Sequence, residues 1–441
     1  MTEVTYKVLA DLSPEERKEL VKRSETDLSF FLEKVQPIID AVKTEGDAAL
    51  VRFGTELDKA QGLTVDNLKA SEEEFEEAFN LVEEEVINAI RYGIENIRSF
   101  HEEQAPEPMW LKEVRPGAFA GDRFTPINSV ALYVPRGKGS FPSVTMMTTT
   151  PAVVAKVPNI AIFTPPGPDG KVDAATLVAA RLAGVDTVYK VGGAQAVAAA
   201  AFGTETIMPA KKIVGPGSPW VVAAKRLLAG VIDPGLPAGP SEVVILADDT
   251  VDGGLAAMDL LIEAEHGPDS SAWLITSSER VAKEALAALP KHWANMTEQR
   301  VEFSKAVLTG SSGGIVLARD MDDACALVNE YAPEHLEILS TKAFEYLGMI
   351  TEASEILMGT HTPVTIANFA LGPNAVLPTS MGANTWGPLS VSDFVRRSSI
   401  GYVTPKGYPE LAANAKILAD YEGFSSHANA VSELREQYLK D

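Results

Sequence analysis

From Ser129 onward, short runs rich in β-branched residues and ending in Gly or Pro alternate with Ala-rich stretches long enough to form helices. No other feature restricts the fold so sharply. The first runs are Ser129–Pro135, Asn159–Pro165, Thr187–Gly193 and Lys212–Gly217. Their apolar character suits strands buried on both faces, and the helical spacers suit right-handed crossovers, so a doubly wound parallel sheet is expected. A second set opens at Glu242–Asp248 and Ser271–Ser278 and continues through Ala306–Thr309 and Gly314–Ala318. Since a single core stops growing near roughly 250–300 residues, a chain of 441 residues is expected to hold two such α/β units in tandem.

The flanks read differently. Ser13-Pro14-Glu15-Glu16 combines a capping hydroxyl, a proline suited to the first helical position and a carboxylate at the third, and Ser71-Glu72-Glu73-Glu74 repeats the signal. The acidic and aliphatic stretches that follow, to about Phe100, suit long surface helices. The expected division is a helical N-terminal segment (1–105), a first α/β domain (106–240), a second (241–385) and a C-terminal tail (386–441), helical from about Pro409 to Lys440.

Charge narrows the partners. Lys plus Arg number 38 against 61 Asp plus Glu, for a formal charge of -23, a field that repels nucleic-acid phosphate and anionic lipid. An anionic small molecule then needs a local cation or exposed N–H groups. Cys325 is the lone cysteine, Met1–Lys22 has no apolar signal core, and the run Val197–Phe202 is too short to span a bilayer. A cytoplasmic protein with neither nucleic acid nor membrane as partner is expected.

Two glycine turns stand at strand ends, Gly192-Gly193-Ala194-Gln195 and Gly215-Pro216-Gly217-Ser218. N–H groups at a following helix start suit a phosphate, and Ser218-Pro219 would cap such a helix, but G-x-G-x-x-G is incomplete because Trp220 stands at the third glycine. Tight strand-to-helix turns are the other reading. Glu263 and His266 lie three apart on an expected helix halted by Gly267-Pro268, a spacing that recurs among metal ligands. The same pair also fits a terminal histidine bonding the last carbonyls beside a solvated glutamate. Glu334 and His335 put two proton-transfer groups side by side on what reads as a loop or helix start. Glu422 and His427 lie five apart in a small, polar segment. His101 and His292 have charged surroundings and are expected at the surface, and His361 falls in a turn.

Five strings, in order, resemble the histidinol dehydrogenase family: Gly192-Gly193-Ala194-Gln195-Ala196, Ala201-Phe202-Gly203-Thr204-Glu205, Ala238-Gly239-Pro240-Ser241-Glu242, Ala264-Glu265-His266-Gly267-Pro268-Asp269-Ser270 and Pro333-Glu334-His335-Leu336. The resemblance runs from about residue 25 to 435. It implies two tandem Rossmann-like domains and a homodimeric, zinc-dependent enzyme that oxidises a primary alcohol through the aldehyde to the carboxylate with two NAD. By motif, Glu334 would activate water and His335 would be the general acid/base. Tyr133, Gln195 and Ser218 fall at NAD positions, and Ser241 at a substrate position. Glu422 would contact the substrate bound to the partner subunit. His266 and His427 would be zinc ligands, joined by Glu263 and Asn368, with all four ligands and His335 also lining the substrate.

The pattern is not matched everywhere. Glu263 stands where the family has glutamine, Asn368 where it has aspartate, Ser218 where it has asparagine and Ala375 where it has histidine. The first two exchanges preserve the ligand set's formal charge, so zinc is retained as an expectation. The changes around the pocket argue against histidinol. The Asn368-Phe369 pair and the string from Gly372 to Pro378 look like the sulfopropanediol (2,3-dihydroxypropane-1-sulfonate) dehydrogenase branch. A sulfonate would need donors such as Arg136, Arg396 or Arg397. L-histidinol is the alternative substrate, and a metal-binding homologue without catalysis the rival class.

Overall fold

Both capping boxes form. In the computed structural model, which describes residues 3–23, 28–136 and 139–439, Ser13 opens the helix Pro14–Val21 and Ser71 opens Glu72–Leu81, each with its third-position glutamate reaching back to the cap. Lys440 and Asp441, at the end of the expected tail, and Met1 lie outside the described residues.

The described strands are, in chain order, β1 (Tyr6–Val8), β2 (Met109–Arg115), β3 (Ala118–Pro126), β4 (Ser129–Tyr133), β5 (Asn159–Phe163), β6 (Val188–Tyr189) and β7 (Lys212–Val214). They continue with β8 (Glu242–Ala247), β9 (Ser271–Thr276), β10 (Gly313–Leu317), β11 (His335–Leu339), β12 (Glu355–Met358) and β13 (Val395–Val403). Two parallel sheets result, ordered β6-β5-β4-β7 and β1-β10-β9-β8-β11-β12. In each the chain winds outward to one side and then returns to the other, which puts a switch point between β4 and β7 and another between β8 and β11. The α/β class and the two strand sets are as expected.

Burial explains the continuous apolar runs. Val243 and Ile245 face one layer of helices with Ala256, Leu260 and Ala264, while Val244 and Leu246 face another with Leu327 and Val328. In the first sheet the helix Gly193–Phe202 is buried from Ala194 through Ala201, its small side chains letting it lie close against the strands. The N-terminal helix Ser29–Glu45 adds Val35, Ile39 and Val42 to that same core.

Four expectations need correction. Ala306–Thr309 is no strand but the end of the helix Glu298–Leu308 and its cap, since Val307 and Leu308 turn inward with helical period. The helical N-terminal segment contains β1, which pairs with β10 along the edge of the second sheet. Residues 106–126, assigned to the first α/β domain, instead form an antiparallel sheet, β13-β3-β2, with 395–403 from the C-terminal tail, ahead of its expected helices. The chain accordingly divides into a larger unit of 1–105 and 127–394, holding both parallel sheets, and a smaller unit of 106–126 and 395–441. Among the described residues, no helix is long and apolar enough to cross a membrane.

Candidate active site

Glu334 and His335 stand where the helix Met321–Tyr331 turns into β11. Ala332, in the left-handed region at φ 48°, makes that turn. His335 is thus the first residue of a central strand and not part of a loop, in register with Val243 on β8 and Glu355 on β12. Its Nδ1 lies 2.7 Å from Glu355 Oε2, and all three of Glu334, His335 and Glu355 are buried. The Glu242 backbone N–H donates to Glu334 Oε2 at 2.8 Å, and Ser241, the residue before it, sits at the same strand edge and accepts from the Ser271 N–H at 2.9 Å. Burial drives Glu334 well above the usual carboxylate range, with Glu263 and Glu242 adding to the effect of burial and His335 opposing it. Burial pulls His335 down, but the Glu355 hydrogen bond and the charges of Glu334 and Glu263 prevail and push it up to about 10.

The helix Gly253–Ala264 brings a second group to the same edge, since a crossover helix runs back toward the strands' amino ends. Glu263 is buried, Glu265 caps the helix, and His266 follows. His266 Nδ1 comes within 2.9 Å of Glu263 Oε2, yet this buried nitrogen makes no well-aligned hydrogen bond. Asn368, on a single π turn (Ala367–Leu371), donates from Nδ2 to Glu263 Oε1 at 3.0 Å. Burial alone would raise Glu263, but His266, His335 and Asn368 hold it down at about 2, while Glu263 in turn raises His266 against its own burial.

An orphaned imidazole nitrogen, an ionised carboxylate and an amide meet here, so these residues fit a zinc ion, with Glu263, His266 and Asn368 as donors. No group of three or more His, Cys, Asp or Glu side chains is placed to hold a metal among the described residues. Asn368 contributes an amide oxygen instead, beside the carboxylate of Glu263 and the imidazole of His266.

A third cluster forms at the carboxyl ends of the first sheet, beside its switch point. Tyr133, the last residue of β4, accepts from the Gly193 N–H through its hydroxyl at 3.1 Å, and burial raises that hydroxyl to about 12. Gln195 donates to Asp58 at 3.3 Å, while its Oε1 is buried and unpartnered. Burial lifts Asp58 to about 6. Asp58 follows the helix Asp47–Glu56, and nothing in its local sequence singles it out. Gly215 is required by its close approach: at φ +115°, a Cβ there would stand 2.1 Å from the Tyr133 carbonyl oxygen. Ser218 occupies the N-cap of Pro219–Leu228 but, against expectation, its hydroxyl makes no capping bond.

Other candidates fall elsewhere. Glu422 caps the helix Tyr408–Tyr421 and His427 lies in Ser425–Asn429; both are exposed, within the smaller unit. Arg136 donates to the Lys171 carbonyl at 2.8 Å, Arg396 to Thr125 at 3.2 Å, and Arg397 approaches Asp122 at 4.0 Å. His101, expected at the surface, is fully buried, its Nδ1 2.7 Å from the Ile97 carbonyl and its Nε2 3.3 Å from Asn374, which also donates to the Met147 carbonyl. Its helix is charged outward, and His101 falls on the inward stripe with Ile90, Ile94 and Ile97.

The profile of the histidinol dehydrogenase family matches residues 21–435. A "Histidinol dehydrogenase homolog" of Cereibacter sphaeroides is 76% identical over the whole of both chains, and one of Rhizobium meliloti is 71% identical over all of this chain and 96% of its own. A protein of Synechocystis named "Histidinol dehydrogenase" is 46% identical over 98% of this chain and 99% of its own. The crystal structure of histidinol dehydrogenase from Elizabethkingia anophelis superposes with a TM-score of 0.93 at 30% identity, covering 99% of each chain.

Proposed function

Because the chain belongs to the histidinol dehydrogenase family, we propose that it is a zinc- and NAD-dependent oxidoreductase that carries a primary alcohol through the aldehyde to the carboxylate. The observation that supports this reading most strongly is the meeting of Glu263, His266 and Asn368, within 3.0 Å of one another through Glu263, at the sheet edge where Glu334 and His335 open β11. The substrate we propose is 2,3-dihydroxypropane-1-sulfonate, on the grounds that Ala375 removes an imidazole the family supplies and that Glu263 and Asn368 reverse the family's amide and carboxylate. L-Histidinol is the second reading, favoured by the name of the Synechocystis relative.

Bound zinc would acidify the substrate hydroxyl and bound NAD would accept the hydride at each of two oxidations. In its neutral form, which rising pH favours, His335 takes the hydroxyl proton in the first, leaving aldehyde. Ionised Glu334 takes a proton from the water that adds to that aldehyde, and the hydrate loses the second hydride and its remaining hydroxyl proton, giving the carboxylate. Glu263, His266 and Asn368, with His427, would hold the metal. Tyr133, Gln195 and the Gly192–Gly193 and Gly215–Ser218 turns would hold the dinucleotide, with Ser241 and Glu422 on the substrate.

A homodimer is part of the proposal, with Glu422 and His427 serving the partner's site; their exposure is in keeping with it. A panel of alcohols, read as NADH formed per alcohol consumed, tests the reading. Two NADH from the sulfonate diol supports it, whereas oxidation of L-histidinol alone selects the second reading. No NADH from any alcohol in zinc-replete protein overturns the assignment.

A further inference from the structure

Glu355 stands 2.7 Å from the imidazole of His335 and has no part in the proposed reaction as described above. Its position is built by the sheet. β12 pairs with β11 in parallel, His335 lies opposite Glu355, and the Glu355 N–H donates to the Glu334 carbonyl at 3.1 Å. Directly paired residues on neighbouring strands project to the same face, so the carboxylate and the ring are brought together by register and not by a mobile loop. Both side chains are about 95% buried. The carboxylate uses Oε2 on His335, and Oε1 has no other hydrogen-bond partner among the described residues. Burying a carboxylate carries a desolvation cost that an apolar residue would not. A carboxylate is therefore a poor choice for packing alone. Its geometry is that of a group that dictates which imidazole nitrogen carries a proton.

We propose that Glu355 is a positioning residue that accepts the Nδ1–H of His335, fixing the ring's orientation and tautomer so that Nε2 is the nitrogen that exchanges a proton with the substrate. The idea rests on His335 being the acid/base of the proposed reaction, and it adds a residue to that reading. Glu355 itself touches neither substrate nor cofactor. It acts through the ring, as carboxylates behind catalytic and metal-bound imidazoles do.

The test compares Glu355→Ala, Glu355→Gln and His335→Ala in the full-length, zinc-loaded protein. Glutamine keeps an oxygen that can accept from Nδ1–H, so kcat should fall about 10–100-fold in the alanine variant and recover to within about tenfold of the parent in the glutamine variant. KM for the alcohol should hold in both, a split that general loosening of the sheet would not produce. A readout free of turnover accompanies this: in histidine-labelled protein, the hydrogen-bonded Nδ1 proton of His335, assigned by its loss in His335→Ala, should vanish in Glu355→Ala and persist in the parent. An Nδ1 proton that survives in Glu355→Ala, or a glutamine variant as impaired as the alanine variant, overturns the proposal. Full activity in His335→Ala would instead overturn the acid/base role of His335, and the proton signal would still decide whether Glu355 holds the ring.

Discussion

Glu337 carries a cost that the fold has not relieved. It lies two residues beyond His335 on β11, is fully buried against Asp259, and neither of its oxygens meets a well-placed donor among the described residues. Burial first, and then the neighbouring Asp259 carboxyl, drives it far above the usual range, so the folded protein binds a proton that the unfolded chain releases. Stability due to this group is therefore undiminished below its ordinary value near 4.5 and falls as pH rises above it. Glu337→Gln should stabilise the protein by roughly 1–3 kcal/mol at pH 7, with the gain fading toward pH 4; denaturant unfolding at both values checks this, and an equal effect at both would contradict it. A second expectation separates the neighbouring pair. His335→Ala should slow alcohol oxidation by about 10²–10⁴-fold, whereas Glu334→Gln should spare the first hydride transfer and let aldehyde accumulate, as a trapping reagent would report. Glu334, His335 and His266 are legible in the sequence because they sit in distinctive strings, and Glu263 because it lies one helical turn before His266. Glu355 and Asp58 are not, since carboxylates are common and what singles these out is a partner 20 or 137 residues away. His101 was misread for the opposite reason: its sequence neighbours are charged, but they occupy the other side of a helix.

Helix and strand match in pitch where the site is built. Two residues along a strand rise about 6.6 Å and four along a helix about 6 Å, so His335 and Glu337 on β11 fall opposite Glu263 and Asp259 on Gly253–Ala264. The helix runs counter to the strands, which is why its last turn, and the metal-ligand candidates with it, reach the strands' amino ends. Ligands in open α/β sheets ordinarily bind at carboxyl ends; in the proposed site the first sheet would follow that habit with Tyr133 and Gly215, and the second would place its chemistry at the other edge. The turn after β7 offers a test. Gly215→Ala would force a Cβ into the Tyr133 carbonyl at a backbone angle alanine avoids, so it should cost about 1–3 kcal/mol or more and weaken NAD binding. Gly230→Ala, with nothing within 4 Å, should be near neutral in the same melts and NAD titrations. The strands of both parallel sheets were legible wherever apolar runs were unbroken. β11 was hidden by Glu337 at its centre, and β2, β3 and β13 by mixed polarity, because their partners come from opposite ends of the chain.

The smaller unit leaves large apolar side chains uncovered, including Trp110, Ile417, Leu418, Tyr421 and Tyr438, the last two 91% and 82% exposed. Such exposure is in keeping with a covered surface, and the proposed dimer would supply the cover. Scattering should then report twice the chain's mass, and Ile417→Asp with Tyr421→Asp should yield monomers without activity. If His335 and His427 serve one site from different subunits, mixing the His335→Ala and His427→Ala proteins under subunit exchange should restore part of the activity, because one site of each hybrid is intact. No recovery after confirmed exchange would count against sharing. β1 imposes a different demand. It borders β10, and Thr5 is tied to the Gly310 carbonyl across 305 residues. At about 5–20 residues per second, the ribosome needs about 15–60 s to make the strand that this early segment must find. Until then the first of the described strands is an unpaired edge, held in waiting while most of its own sheet is still being written.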